Sequence, residues 1–219
     1  MTVVELIALY RNRTQDVAAP YLWGDDEIIE YIDDAQNEAC RRAHLLVDSR
    51  TTEICEAPVT AGDPVVPVDP RIIHIRRARR GSDSMPVKRM SVRDMDQQLP
   101  GWEGILTPGT PVVFIPDWET DVVRLYSVPG VDDTLCMTVV RMPLDPINSA
   151  TSTLEIATRY HRGLLDWMLH RGYSKADPET LDATKAKAAD ERFTAEFGEK
   201  TGAVDERWAF EQYLDVGEV

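Results

Sequence analysis

Six carboxylates crowd into ten residues near the start of the chain: Asp25, Asp26, Glu27, Glu30, Asp33 and Asp34. Paired carboxylates can divide acid and base roles in glycoside hydrolysis, or together hold a divalent cation. A calcium loop would alternate oxygen donors around a glycine, and that pattern is missing here. Acids at the start of a helix instead oppose the positive end of its dipole and cover a solvated face, which is the simpler reading of the cluster. The histidines do not converge from spacing either. His44 and His74 stand alone, while His161 and His170 are nine residues apart, too far round a helix to share a ligand as an i, i+4 pair would. His161 lies on an apolar stripe and is expected to be a hydrogen-bonded core residue. Cys40, Cys55 and Cys136 are odd in number and widely separated, which indicates neither a disulfide framework nor a zinc knuckle. No P-loop, dinucleotide fingerprint, nucleophile elbow or HExxH motif is present. These readings favour a protein that is not an enzyme and uses no metal or cofactor.

The remaining chemistry is charge. Between Arg71 and Arg93 there are eight basic residues against the single acid Asp83, in a chain of formal net charge -14. The run RIIHIRRARR alternates as a half-buried strand, with Ile73 and Ile75 on one face and His74 and Arg76 on the other. Gripping phosphates needs clustered cations without a strongly acidic surround, and no RNP-like aromatic pair or finger spacing accompanies this run. A basic island in an acidic body suits pairing between copies of the chain, so Arg76, Arg77, Arg79, Arg80, Lys88 and Arg89 are candidate subunit-interface residues. Sequence-independent DNA binding by residues 71–93 stays open beside it, as does an enzyme with a dispersed site.

The elements that position these residues follow from periodicity and caps. Thr2 and Glu5 have capping-box spacing for a helix from Val3 to about Arg13, with Leu6, Leu9 and Tyr10 inward and Pro20 interrupting it. Gly24 to Glu27 open a second helix whose Ile28, Ile32, Ala35, Ala39, Ala43 and Leu46 keep helical spacing. From Thr51 to about Met142 the rhythm becomes short β-branched runs: TTEICEAPVT, RIIHIRRARR, PVVFIP, VVRLYS and TLCMTVVRM. Ser91 to Leu99 predicts one short helix among them. Helices return at 154–173, where Tyr160, His161, Leu164, Leu165 and Met168 form a stripe, and at 178–197, with Asp177 as cap, Pro178 in the first turn and Gly198 as stop. The expected fold is α+β. Two N-terminal helices (1–50) and two C-terminal helices (151–198) make a small bundle, with a β-rich domain (51–150) inserted. A tail, 199–219, carries Trp208, Phe210 and Tyr213 among acids, a composition suited to docking on a partner. No apolar run reaches the roughly 20 residues that span a bilayer, and the N-terminus lacks signal-peptide order, so the chain is expected to stay in the cytoplasm where it is made.

Two stretches carry a resemblance: LWGDDEIIEYIDDAQNEACRRAHLLVDS at 22–49 and RYHRGLLDWMLHRGYSKAD at 159–177. With VDPRIIHIRRAR between them, and with Arg159-Tyr160-His161 and Tyr173-Ser174-Lys175 in the paired helices, the chain from about Leu22 to Gly198 resembles the head-to-tail adaptors of tailed bacteriophages, including the tail tubular protein of short-tailed phages. The tail lies outside the resembling region. The resemblance implies a virion structural protein in the neck between capsid and tail. It further implies a ring, usually of twelve subunits, beneath the portal protein and above the tail nozzle protein, through which genomic DNA passes without specific binding during packaging and ejection. Trp208, Phe210 and Tyr213 then become candidate portal-docking residues.

Overall fold

The capping box forms as its spacing predicts. Glu5 N–H donates to Thr2 Oγ1 at 3.2 Å and Thr2 N–H donates to the Glu5 carboxylate at 2.9 Å, opening helix α1 (Val3–Thr14). In the computed structural model of the protein, residues 1–200 and Gly202 are described. They divide into a helical unit, Met1–Leu46 with 142–200, and a β-rich unit, Val47–Arg141. No described helix is long and apolar enough to cross a membrane.

In the helical unit the chain leaves α1 and turns back through one ionic knot. Asp16, 5% exposed, accepts from the Leu22 and Trp23 N–H groups at 3.0 and 3.3 Å and from Arg11 at 2.9 Å; Arg11 also reaches the Trp23 carbonyl and Asp25. A buried carboxylate is tolerable only with such partners. Helix α2 (Asp25–Ala43) follows from an extended Gly24 and ends at His44, which adopts a left-handed conformation at φ 52°. Ile28, Ile32, Ala35 and Ala39 are buried along its stripe as the spacing requires, while Leu46 lies beyond the helix end.

The C-terminal helices are shorter than their sequence pattern suggests. Helix α5 spans Leu164–Tyr173, preceded by a 3₁₀ turn at Thr158–Tyr160, so Tyr160 and His161 are not on the helix. Tertiary hydrogen bonds account for the difference. Glu155 N–H donates to Gln36 on α2 at 2.8 Å, its carboxylate accepts from the Leu144 and Asp145 N–H groups, and His161 Nε2 donates to the Ile156 carbonyl at 2.9 Å. These fix 154–157 in a non-helical path. Helix α6 spans Ala183–Phe197 and is capped by Asp182, which accepts from Lys185 N–H at 3.0 Å, rather than by Asp177. Asp177 instead closes a local turn, its side chain accepting from Glu179 N–H at 2.9 Å and its carbonyl from Thr180 and Leu181 N–H. Helices α1, α2 and α6 each pack on α5 or on one another around Leu6, Tyr10, Ile28, Leu164, Met168 and Phe193. Burying each such side chain contributes roughly 1.5–3 kcal/mol before chain entropy is charged against it.

The β-rich unit is built on strands β1 (Val47–Asp48), β2 (Glu56–Val59), β3 (Val65–Pro67), β4 (Ile72–Arg80), β5 (Pro86–Arg89), β6 (Pro108–Gly109), β7 (Val113–Glu119), β8 (Val122–Tyr126), β9 (Val128–Pro129) and β10 (Asp133–Arg141). Between β1 and β2 the run TTEIC forms a single helical turn, α3 (Thr52–Cys55), where the sequence suggested strand. Among the described residues the eight-stranded sheet runs β1-β10-β4-β5-β7-β8-β3, with β2 beside β1 on the same edge of β10, while β6 and β9 form a separate parallel bridge. β2 also packs against β3 from the far edge, so the sheet curls towards closure. Its inner face holds Val59, Val66, Ala78, Val87, Phe114, Leu125 and Leu135. β5 and β7 are parallel, and the crossover between them carries α4 (Val92–Gln98), capped by Ser91 and Asp94. That crossover covers the outside of β7 with Met95 and Trp102, which explains why Val113, Phe114 and Ile115 are all buried. The fold is α+β.

One glycine is fixed by packing. A methyl group on Gly172 of α5 would meet the Tyr10 hydroxyl at 1.9 Å and Trp23 Nε1 at 3.4 Å, and both rings are held edge to face in the core. Gly172→Ala is expected to cost more than about 2 kcal/mol, as overpacking against rigid rings does. At Gly163 the added methyl would meet only the flexible Glu196 carboxylate, so Gly163→Ala should lower stability far less. Chemical denaturation of the two variants checks the ordering; equal losses would contradict it.

Candidate interface on the β-sheet

The basic island sits mainly on β4 and β5, and the backbone sorts it onto two faces. Ala78 pairs with Val87 and faces inward, so Arg77, Arg79 and Lys88 face outward by alternation. Extending the same register places Arg77 opposite Lys88. Arg80 and Arg89 share the inward side with Ala78 and Val87. Arg80 is bound bidentately by Asp83 at 3.0 and 2.6 Å and donates to the Pro111 carbonyl at 3.2 Å, and its guanidinium holds the Asp83 carboxyl below the usual range. Arg71, at the start of the island, is likewise bound by Asp69 at 2.9 Å.

Arg76 owes its position to a β-bulge. Thr138 pairs with Arg77 and Val139 with Ile75, leaving Arg76 as the extra residue on β4. Two adjacent arginines, Arg76 and Arg77, are therefore both exposed where strict alternation would have separated them. Neither they nor Lys88 makes a side-chain hydrogen bond or ion pair among the described residues. Arg79 is half-buried and donates to Ser84 Oγ at 3.3 Å. A second shift between Val140 and Arg141 leaves Ile73 as another extra residue, so Ile73 is only half-buried and the expected pairing of Ile73 with Ile75 on one face is lost.

Beside these cations lies a depression of about 230 Å³ lined by Ser49, Glu56, Arg77, Arg79, Cys136 and Thr138, with Cys55 at its wall. Burial and the neighbouring Asp48 carboxylate push the Cys55 thiol up to about 11, so it stays protonated and unreactive at neutral pH. Asp48 closes one end of this region through Arg141 at 2.8 Å and through Thr51 Oγ1 at 2.7 Å. Burial alone would raise its carboxyl, but hydrogen bonds from Arg50 N–H, Arg141 and Thr51 hold it far below the usual carboxylate range.

The acidic cluster of α2 is mostly committed to holding the helical unit. Asp25 pairs with Arg11 at 2.6 Å, Glu27 with Lys175 at 2.9 Å and with the Tyr31 hydroxyl, and Asp34 with Arg171 at 3.0 Å; Asp33 accepts from Ile147 N–H at 2.7 Å. Asp26 and Glu30 are exposed. His161 is buried with its two ring nitrogens against the backbone of Ile156 and Met1, and His170 Nδ1 donates to the Ala186 carbonyl at 3.1 Å, so the two rings serve separate carbonyls. No group of three or more His, Cys, Asp or Glu among the described residues could hold a metal ion. Trp208, Phe210 and Tyr213 lie outside the described residues.

The two stretches that carry the family resemblance face one another, Glu27 and Asp34 of the first pairing with Lys175 and Arg171 of the second. A sequence model of the SU10 adaptor protein family matches residues 1–213. The chain belongs to that family. It is a family of phage head-to-tail adaptors, and the match takes in the first helix and most of the acidic tail, beyond the span over which the resemblance is read from motifs. Comparison with curated proteins returns no match. Family membership places this adaptor among phage structural proteins.

The depressed Asp48 carboxyl gives a pH test with a definite sign. A carboxyl lowered on folding adds stability above its unfolded value of about 3.9 and loses it as pH falls through the folded value. Asp48→Asn should therefore destabilise the chain clearly at pH 7, and the gap from wild type should shrink below about pH 3. Urea denaturation at both pH values measures it; a gap that stays constant would mean the Asp48–Arg141 contact does not depend on charge.

Proposed function

We propose that this chain is the head-to-tail adaptor of a tailed phage, assembling as a ring beneath the portal protein and joining it to the tail nozzle protein. The family match over residues 1–213 carries this reading. In the virion the ring sits in the neck and extends the DNA channel, so its work is mechanical and electrostatic. At twelve subunits of formal charge -14 each, the ring is strongly acidic, which lets DNA slide through without adhering. The helical bundle, made by α1, α2, α5 and α6, is the rigid body, and the β-rich unit offers Arg76, Arg77, Arg79 and Lys88 to a neighbouring subunit. Arg80 and Arg89 contribute through the fold of the strand ends, because they face the other side of the sheet. The tail's Trp208, Phe210 and Tyr213 anchor on the portal, with the surrounding acids steering them.

A second reading, DNA binding in its own right by the outward cations, draws on Arg76, Arg77 and Lys88, which are unpaired among the described residues. Size-exclusion chromatography with mass measurement, with and without purified portal, separates the two. The adaptor adds a multiple of its 24.7 kDa mass to the portal. A chain ending at Gly202 should fold normally and remain bound to the portal at least tenfold less tightly. No added mass on the portal, together with duplex binding that weakens steeply with salt, would favour the DNA-binding reading.

A further inference from the structure

Asp26 and Glu30 lie one turn apart on the same face of α2, both exposed and both without a side-chain hydrogen bond or ion pair among the described residues. The stripe continues to Asp34. Burial raises that carboxyl above its ordinary value; the Arg171 guanidinium pulls the other way, and the charges of Glu30, Asp33 and Glu38 add to the rise. Like charges are thus left facing one another along this edge of the helix, a repulsion that a cationic surface would relieve.

The cations left over on the β-sheet have matching spacing. Arg77 and Lys88 flank the Ala78–Val87 pair on adjacent strands; continuing that register sets their backbones about 5 Å apart in the hydrogen-bonding direction, and acids at i and i+4 on a helix are separated by about 5–6 Å. Each surface therefore presents two like charges at a comparable backbone interval, one negative and one positive. We propose that they meet between copies: the Asp26–Glu30 stripe on α2 of one subunit docks on Arg77 and Lys88 of the next. This rests on the adaptor reading and names the contact within its ring. The two surfaces are different, so the contact is head-to-tail, the kind that closes into a ring when repeated by a fixed rotation. Exposed charge pairs set orientation more than strength, which fits an assembly completed on a portal template.

Charge exchange tests the pairing. Asp26→Lys with Glu30→Lys, and separately Arg77→Glu with Lys88→Glu, should each cut the number of copies bound per portal at least tenfold while remaining folded, the first pair melting slightly lower because Asp26 lies in the first turn of α2. The chain carrying all four substitutions should recover assembly. An equal mixture of the two double variants should also recover it, because subunits can alternate around the ring so that opposite charges meet at every contact. Wild-type assembly by either double variant, or failure of the folded four-fold variant, overturns the pairing. Failure of the wild-type chain to add to the portal overturns the adaptor reading instead. Sedimentation of the chain alone at high concentration and low salt then decides the pairing, with self-association expected for wild type and the four-fold variant and lost in each double variant; self-association unaffected by charge overturns it.

Discussion

The helical unit is organised around a positive charge with almost no access to water. The Arg42 side chain is 3% exposed; it pairs with Glu38 at 2.8 Å, donates to Thr194 Oγ1 at 3.0 Å and to the Gly198 carbonyl at 3.3 Å, and stacks on Trp167 and Phe193 at 5.0 Å. Leaving a buried guanidinium unpaired costs about 3–5 kcal/mol, so the packing of α5 and α6 that buries Arg42 is favourable only because Thr194 and Gly198 accept its remaining donors beside Glu38. Glu38 lies on the same helix, but Thr194 and Gly198 are more than 150 positions away in sequence. Asp16 works in the same way at the other end, where its buried carboxylate is satisfied only when the α1–α2 turn has closed on Arg11. Hydrophobic burial supplies most of the stability, while these two ions select the arrangement in which it is obtained.

The β-rich unit obeys a different constraint. A strand with arginine at four of nine positions cannot place them all in water by alternation alone, because alternate residues face the core. The bulge at Arg76 resolves part of the conflict by turning two successive arginines outward. Arg80, on the inner side, is admitted only at the strand end, where Asp83 and the Pro111 carbonyl neutralise and fill its donors. The same device that saves the fold therefore concentrates positive charge, unpaired among the described residues, on one outer surface. A stability requirement and an exposed basic surface share one local cause.

Much of the fold was legible because it is set locally. Thr2 with Glu5, Ser91 with Asp94, and the glycine before the acidic helix each specify a helix start within four residues, and the structure has all three. The reading failed where distant groups intervene. Residues 154–163 carry helical spacing, yet Gln36 and the 144–145 backbone capture Glu155 first. Asp177-Pro178 has the composition of a helix start, but the chain takes a turn and Asp182 caps instead. The short strand PVKR was invisible beside stronger runs, since a four-residue charged segment becomes a strand only through its neighbours. At the candidate interface, sequence revealed the charge and its sign. It could not reveal that Arg80 falls on the inner side of the sheet, because a one-residue bulge is a property of pairing with β10 and not of β4 alone.

Net charge and local charge then have separate roles in this adaptor. Surface repulsion in a body of -14 opposes close packing of copies, and it rises with every subunit added. An assembly of such chains needs a contact that reverses the sign locally, and the outer β-face is the place on the described residues where unpaired cations gather. Screening acts on both terms, weakening the general repulsion and the specific attraction together within about 8–10 Å at physiological salt. Short-range pairs at facing surfaces lie inside that distance, whereas most subunit-to-subunit repulsion lies outside it. Physiological ionic strength thus favours the proposed local contact over the global repulsion, which is the balance the proposed ring of acidic subunits requires.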